Sequence, residues 1–291
     1  MCGIVGFVGA RADMQEILQG MMDAIAHRGP DGQGQFIEGP AALGQRRLSI
    51  IDLEGGKQPM FNEDGSLVCI FNGEIYNFQT LREELIAAGH TFATRSDTEV
   101  LLHGYEQWGN QLPGKLRGMF TFVIWDQKTK TMFGARDIFG IKPFYYYNQD
   151  GLFLFGSEIK SFLAHPGFKK ELNEEQLPLY LSYQYSPGED TFFKGVKKLM
   201  PAHWLEWKAG QLTVQRPGQK TTQALSVGSS PFDGIKVGHG WVESPGRSVS
   251  ETATVFASVT QRELDNATLN QLAQSGSHIR LYSAQDVART T

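Results

Sequence analysis

Cys2 directly follows the initiator methionine, and a residue that small ordinarily lets the methionine be removed. Removal would put a thiol and a free α-amine on one residue. An α-amine titrating at about 7.7–8 can take the thiol proton, directly or through water, so such a residue carries its own nucleophile and base without a catalytic histidine. Taken alone, the same cysteine also fits an ordinary place in the short apolar strand CGIVGFV. Cys69, inside Leu67-Val68-Cys69-Ile70-Phe71, reads as a small core hydrophobe. His27, in His27-Arg28-Gly29-Pro30, sits where a basic residue caps the carbonyls of a helix end. The remaining histidines lack metal-ligand spacing such as His-x-x-x-His beside a carboxylate, so no metal is expected in the chemistry. By local rules Asn72-Gly73 is a tight hairpin connection and Ser96-Asp97, ahead of Val100-Leu101-Leu102, a helix start.

The elements that would position these groups follow from periodicity. Met14, Ile17, Leu18, Met21, Met22 and Ile25 recur at intervals of three or four and predict a helix over Met14–His27, stopped by Gly29-Pro30. Further helices are expected at Phe78–Ala88 and Asp97–Trp108. Strand-like runs occupy Cys2–Val8, Ala41–Ile51 and Leu67–Phe71. Met119–Trp125 pairs with Met132–Ala135 around Lys128–Lys130, and Phe144–Tyr147 with Leu152–Phe155 across Asn148–Gly151. Strands outnumber helices, and the helices cluster, which argues for α+β layers rather than βαβ repeats. The composition fits: 41% hydrophobic and 20% charged residues over 291 positions describe a globular chain. A net charge of -4 gives no footprint for nucleic acid or an anionic membrane, two cysteines exclude a disulfide framework, and no apolar run reaches the roughly 18 residues of a spanning helix. Without a secretory leader, the cytoplasm is the expected compartment.

CGIVGF, HRGPDG, RRLSIIDL, FNGEIYN, SDTEVLLHGYE, GMFTFVIWD and ARDIFGIKPFYY occur in this order over residues 2–146. Together they resemble the glutaminase domain of class II glutamine amidotransferases, and FNGEIYN resembles the branch found in bacterial glutamine-hydrolysing asparagine synthetases. The likeness covers residues 2–212. It implies an α+β fold, the four-layer αββα sandwich of the N-terminal-nucleophile (Ntn) hydrolases. It also implies hydrolysis of L-glutamine to glutamate and ammonia through a thioester on Cys2, with Asn72 and Gly73 supplying the oxyanion donors. Arg47 would meet the substrate carboxylate and Asp97 its ammonium. Leu48, Ser49, Ile50 and Ile51, through their backbones, and Glu74 would complete the pocket. His27, Arg28, Asp31, Arg136 and Asp137 are expected to be structural. No cofactor is implied for this step, and the resemblance allows a homodimer.

Beyond about Arg216 the texture changes. Ser, Thr, Gly and Pro supply roughly a third of residues 217–291 and apolar periodicity is lost, so residues 213–291 are expected to form a poorly structured tail. The ATP- and magnesium-dependent synthetase domain of such enzymes carries a Ser-Gly-Gly-x-Asp-Ser loop, which has no counterpart here; Val227-Gly228-Ser229-Ser230 lacks the paired glycines and the aspartate. A reading-frame change near Arg216 or a natural truncation explains such a boundary, and the first is the expectation. The chain would then hydrolyse glutamine without making asparagine unaided. Two other readings stay open: a non-catalytic glutamine-binding or subunit-interaction module served by a separate synthetase, and an Ntn amidohydrolase for another amide.

Overall fold

The computed structural model describes residues 2–48 and 56–216, together with a short antiparallel pair, His239–Gly240 with Ala257–Ser258. Met1, Ser49, Ile50, Ile51 and nearly all of the expected tail at 213–291 lie outside the described residues, as do Val227–Ser230.

Twelve strands and five helices succeed one another along residues 3–215: β1 (Gly3–Val8), α1 (Met14–Ala24), β2 (Gly32–Glu38), β3 (Ala41–Arg47), β4 (Met60–Phe61), β5 (Leu67–Ile75), α2 (Phe78–Ala87), α3 (Asp97–Trp108), α4 (Leu112–Lys115), β6 (Gly118–Asp126), β7 (Thr131–Arg136), β8 (Tyr145–Gln149), β9 (Leu152–Gly156), α5 (Gln176–Tyr183), β10 (Val196–Lys198), β11 (Trp204–Lys208) and β12 (Gln211–Gln215). They form two six-stranded sheets, one ordered β10-β8-β9-β1-β3-β2 and the other β12-β11-β7-β6-β5-β4. All pairings between these strands are antiparallel.

The period of two along each strand sorts its side chains into layers. In β1, Ile4 and Val8 join the core between the sheets, whereas Val5 and Phe7 pack outward with Leu18, Met21 and Met22 of α1. In β6, Val123 and Trp125 face inward, while Phe122 and Ile124 meet Leu85, Val100 and Leu101 of α2 and α3. Helix, sheet, sheet and helix therefore stack as αββα, each sheet buried on both faces.

Several local expectations change. The first helix ends at Ala24 and passes into a 3-10 turn at Ala26–Arg28. β2 was not expected: GQGQFIE has little apolar signal because it is the outer strand of its sheet. β5 continues four residues past Phe71, so Asn72-Gly73 is mid-strand rather than a hairpin turn. The Asn148–Gly151 hairpin turns at Asp150-Gly151, both with positive φ.

Candidate functional site

Strand parity carries the candidate groups toward one interior face. Cys2 has the parity of Ile4 and Val8, and Asn72 that of Ile70; Ile4 and Ile70 lie in the same core between the sheets. In β3 the parity of Ala41 and Leu43 continues to Gln45 and Arg47.

The Cys2 thiol is partly buried and held by the backbone just beyond β3. The Leu48 N–H points at Cys2 Sγ from 3.5 Å, and Sγ lies 3.7 Å from the Leu48 carbonyl. Arg28 holds the main chain of the same residue, donating from Nε to the Cys2 carbonyl at 3.0 Å. Its Nη1 donates to Glu158 at 3.0 Å. Burial pushes the Glu158 carboxyl up, but hydrogen bonds from Arg28, Lys160 and His27 together bring it down to about 2. His27 thus meets Glu158 at 2.8 Å through its ring rather than capping a helix end. Two glycines admit this clamp. A Cβ at Gly3 would stand 2.7 Å from Ile25 Cδ1 and 3.0 Å from Arg28 Cδ, and one at Gly29 would stand 2.4 Å from the Arg46–Arg47 peptide. Cys69 is fully buried: burial, then the Asp97 charge, push its thiol strongly upward and leave it inert.

In the opposite sheet β5 carries Asn72, Gly73 and Glu74, and Asp97 meets the end of that strand at Ile75. Asn72 is 1% exposed, yet its Nδ2 meets no acceptor among the described residues. Facing it across the ladder, Thr121 has an equally unmet Oγ1, and Gln45 on β3 an unmet Nε2. Sequence reasoning missed Gln45 and Thr121; their only signal is a polar residue at an inward position. Gly73 is required by close approach, since a Cβ would lie 2.1 Å from the Met119 carbonyl oxygen of β6. The backbone that forces it is therefore the neighbouring strand. Odd-numbered amides of this stretch point away from β6: Phe71 N–H donates to Gln58 Oε1 at 2.7 Å and Ile75 N–H to Asp97 Oδ2 at 3.0 Å. The Gly73 N–H lies on that same edge, between them.

Ser96, not Asp97, caps α3, accepting the Thr98 N–H at 3.2 Å. Asp97 is thereby released to face β5. Burial, with the nearby Glu74 charge, raises its carboxyl to about 6 against the pull of the Ile75 N–H. Two adjacent acids and a desolvated carboxylate suit an incoming cation. Arg47 ends β3, paired with Gly32, and its carbonyl accepts the Asp31 N–H at 3.1 Å. Ser49, Ile50 and Ile51 would follow it outside the described residues.

Arg136 and Asp137 organise a loop instead of a cavity. Arg136 donates to the carbonyls of Lys142, Leu199 and Gly140 at 2.6–2.7 Å. Asp137 accepts the N–H groups of Phe120, Phe139, Ile141 and Lys142 at 2.9–3.2 Å.

Residues 1–217 match the glutamine amidotransferase domain family. The chain is 43% identical over 226 residues to glutamine-hydrolyzing asparagine synthetase 1 of Bacillus subtilis, covering 76% of this chain and 34% of that protein. It is 40% identical over 223 residues to asparagine synthetase 3 of the same organism, covering 74% and 36%. The chain thus matches about a third of the length of these relatives. Among solved structures, glutamine phosphoribosylpyrophosphate amidotransferase from B. subtilis superposes with a TM-score of 0.56 at 19% identity, over 75% of this chain and 50% of that one, a likeness of fold.

Proposed function

The chain belongs to the class II glutamine amidotransferases, and from that premise we propose that it hydrolyses L-glutamine to glutamate and ammonia with Cys2 as nucleophile. The observation that carries this reading is the Asn72 amide, buried with donor hydrogens that meet no acceptor among the described residues. A buried donor without a partner costs about 1–3 kcal/mol, a cost offset when an oxyanion arrives.

Removal of Met1 frees the α-amine of Cys2, which takes the thiol proton. The thiolate attacks the side-chain amide carbon of glutamine, and the carbonyl oxygen becomes an oxyanion received by Asn72 Nδ2 and the Gly73 N–H. The α-ammonium of Cys2 returns its proton to the departing nitrogen, ammonia leaves, and a thioester remains. Water, losing a proton to the same amine, then releases glutamate and the thiol. Arg47 pairs with the substrate carboxylate, a geometry suited to a planar guanidinium. Asp97 and Glu74 receive the ammonium, and the backbones of Leu48, Ser49, Ile50 and Ile51 close the pocket. No step requires a cofactor.

Two free cysteines, one of them the reacting thiol, fit a reducing cytoplasm, and no helix among the described residues is long and apolar enough to cross a membrane. The ammonia is handed to a synthetase domain or subunit. Ile138, Phe139 and Ile141 of one loop are exposed, as are Leu181, Tyr183 and Tyr185 at and just after the end of α5, apolar side chains suited to such a partner.

Intact-protein mass after incubation with a glutamine-like diazoketone tests the proposal. Loss of one methionine and a single adduct on Cys2, blocked by glutamine, is expected. A processed chain that takes up no adduct contradicts the glutaminase reading and favours a binding module.

A further inference from the structure

On the outer helical layer, two side chains of α3 converge with one from the segment after α2. His90 follows α2, and His103 and Glu106 lie one turn apart on α3. Their ligand atoms fall within 4.8 Å of one another. Glu106 Oε2 stands 3.3 Å from His103 Nδ1 and 3.5 Å from His90 Nδ1. Ligands bound at about 2.0–2.1 Å around a tetrahedral ion stand about 3.3 Å apart, so both separations, now a hydrogen bond and an ion-pair contact, match the edges of such a tetrahedron, and the His90–His103 pair lies within 4.8 Å. Glu63 Oε1, 3.8 Å from His103 Nδ1 and exposed, is within reach of a fourth position.

The surroundings hold each ligand in the orientation a metal needs. The other nitrogen of His90, Nε2, meets Gln107 Oε1 at 3.1 Å, and His103 Nε2 faces Glu99 Oε1 at 3.6 Å. Glu99 is itself fixed by the N–H groups of Ala93 and Thr94 at 2.6–2.7 Å. The second oxygen of Glu106 accepts from Asn62 Nδ2 at 2.8 Å. Imidazoles that bind metal through one nitrogen commonly present the other to a carboxylate or amide oxygen, which fixes the tautomer.

We infer that His90, His103 and Glu106 bind one divalent transition-metal ion of the zinc type, with Glu63 or water as fourth ligand. Two imidazoles and a carboxylate suit zinc, cobalt or nickel better than the all-oxygen preference of magnesium or calcium. The ion fastens the link after α2 to α3, the helix whose first residue is Asp97. It is a structural site on the outer layer, and it does not depend on the glutaminase reading.

The test uses the full chain carrying Cys2→Ala, which removes the competing thiol–amine chelate. Stripped with a chelator, the protein is titrated with Co2+ and then Zn2+, followed by visible absorption and by thermal melting. One saturable Co2+ per chain is expected, without thiolate charge-transfer bands, displaced by Zn2+ and accompanied by a rise in Tm. His90→Gln and Glu106→Gln should each weaken binding by about 100-fold or more and Gln107→Ala by about tenfold, as outer-shell losses do. Glu106→Gln keeps an oxygen for Asn62, so it decides the matter should His90→Gln not fold. Absence of saturable binding in the Cys2→Ala chain, or affinity unchanged in Glu106→Gln, overturns the inference.

Discussion

Asp137 and Asn72 flank the same strand, β6, and both are buried, yet their surroundings treat them in opposite ways. Asp137 receives four backbone N–H groups, one of them from Phe120 of β6. Every turn of its loop is thereby tied to one carboxylate. Asn72, on β5 opposite Thr121 of β6, has donor hydrogens that meet no acceptor among the described residues. A fold that satisfies one buried polar group so fully does not neglect another by lack of means. Unmet buried polar atoms also occur elsewhere among the described residues, at Trp125, His165 and Trp207 for example, and Asn72, Thr121 and Gln45 are three whose strand parity turns them toward the interior that Cys2 faces.

The comparison can be broken by substitution, and the largest effect belongs to the nucleophile. Cys2→Ala should reduce glutamine turnover to background while leaving glutamine binding measurable by calorimetry; residual turnover would transfer the chemistry to another group. Asp97→Asn should raise KM for glutamine by about 10- to 100-fold, as loss of a hydrogen bond to charge does, with a smaller change in kcat. Asp137→Asn acts on the other side of the comparison. An amide donor would face backbone donors, lowering stability by about 3 kcal/mol or roughly 10 °C in Tm, with kcat per folded molecule unchanged.

A pH dependence follows from the same carboxyl that Asp97→Asn removes. The Asp97 carboxyl is raised from its ordinary 3.8 to about 6 in the folded chain. Between those values the folded state holds a proton that the unfolded state has shed, so this group's contribution to stability is fully present below about 4 and is lost as pH rises through about 6. The whole span is worth about 3 kcal/mol. Glutamine affinity moves the other way, rising about tenfold per pH unit up to 6 as the carboxylate forms. Asp97→Asn should flatten both curves in melting and binding measurements.

Much of this architecture was legible in the residues. α3 spans the Asp97–Trp108 that periodicity predicts, because its apolar spacing and its start signal agree. Other features required three dimensions. β2 is polar at an edge and carries no hydrophobic alternation to read. Asn72-Gly73 has the composition of a turn, and only the backbone of β6 pressing against Gly73 explains why a glycine stands within a strand. Ser96 and Asp97 are equal candidates for a cap until Ile75 is seen to occupy the aspartate. His103 and Glu106 are one turn apart on α3, but His90 joins them only through the packing of the segment after α2 on that helix. The motifs located Cys2, Asn72 and Asp97, but only strand parity turns Gln45 and Thr121 toward the same interior.

The most direct test of the unmet donor is the steady-state kinetics of Asn72→Ala on glutamine, measured beside its melting temperature. The account predicts a kcat lower by about 10²–10³-fold, corresponding to 2.7–4 kcal/mol of lost transition-state stabilisation, with KM little changed and Tm not reduced. A kcat within a few fold of the parent chain, or a loss of activity matched by a loss of Tm, would contradict it and return Asn72 to the structural side of the comparison.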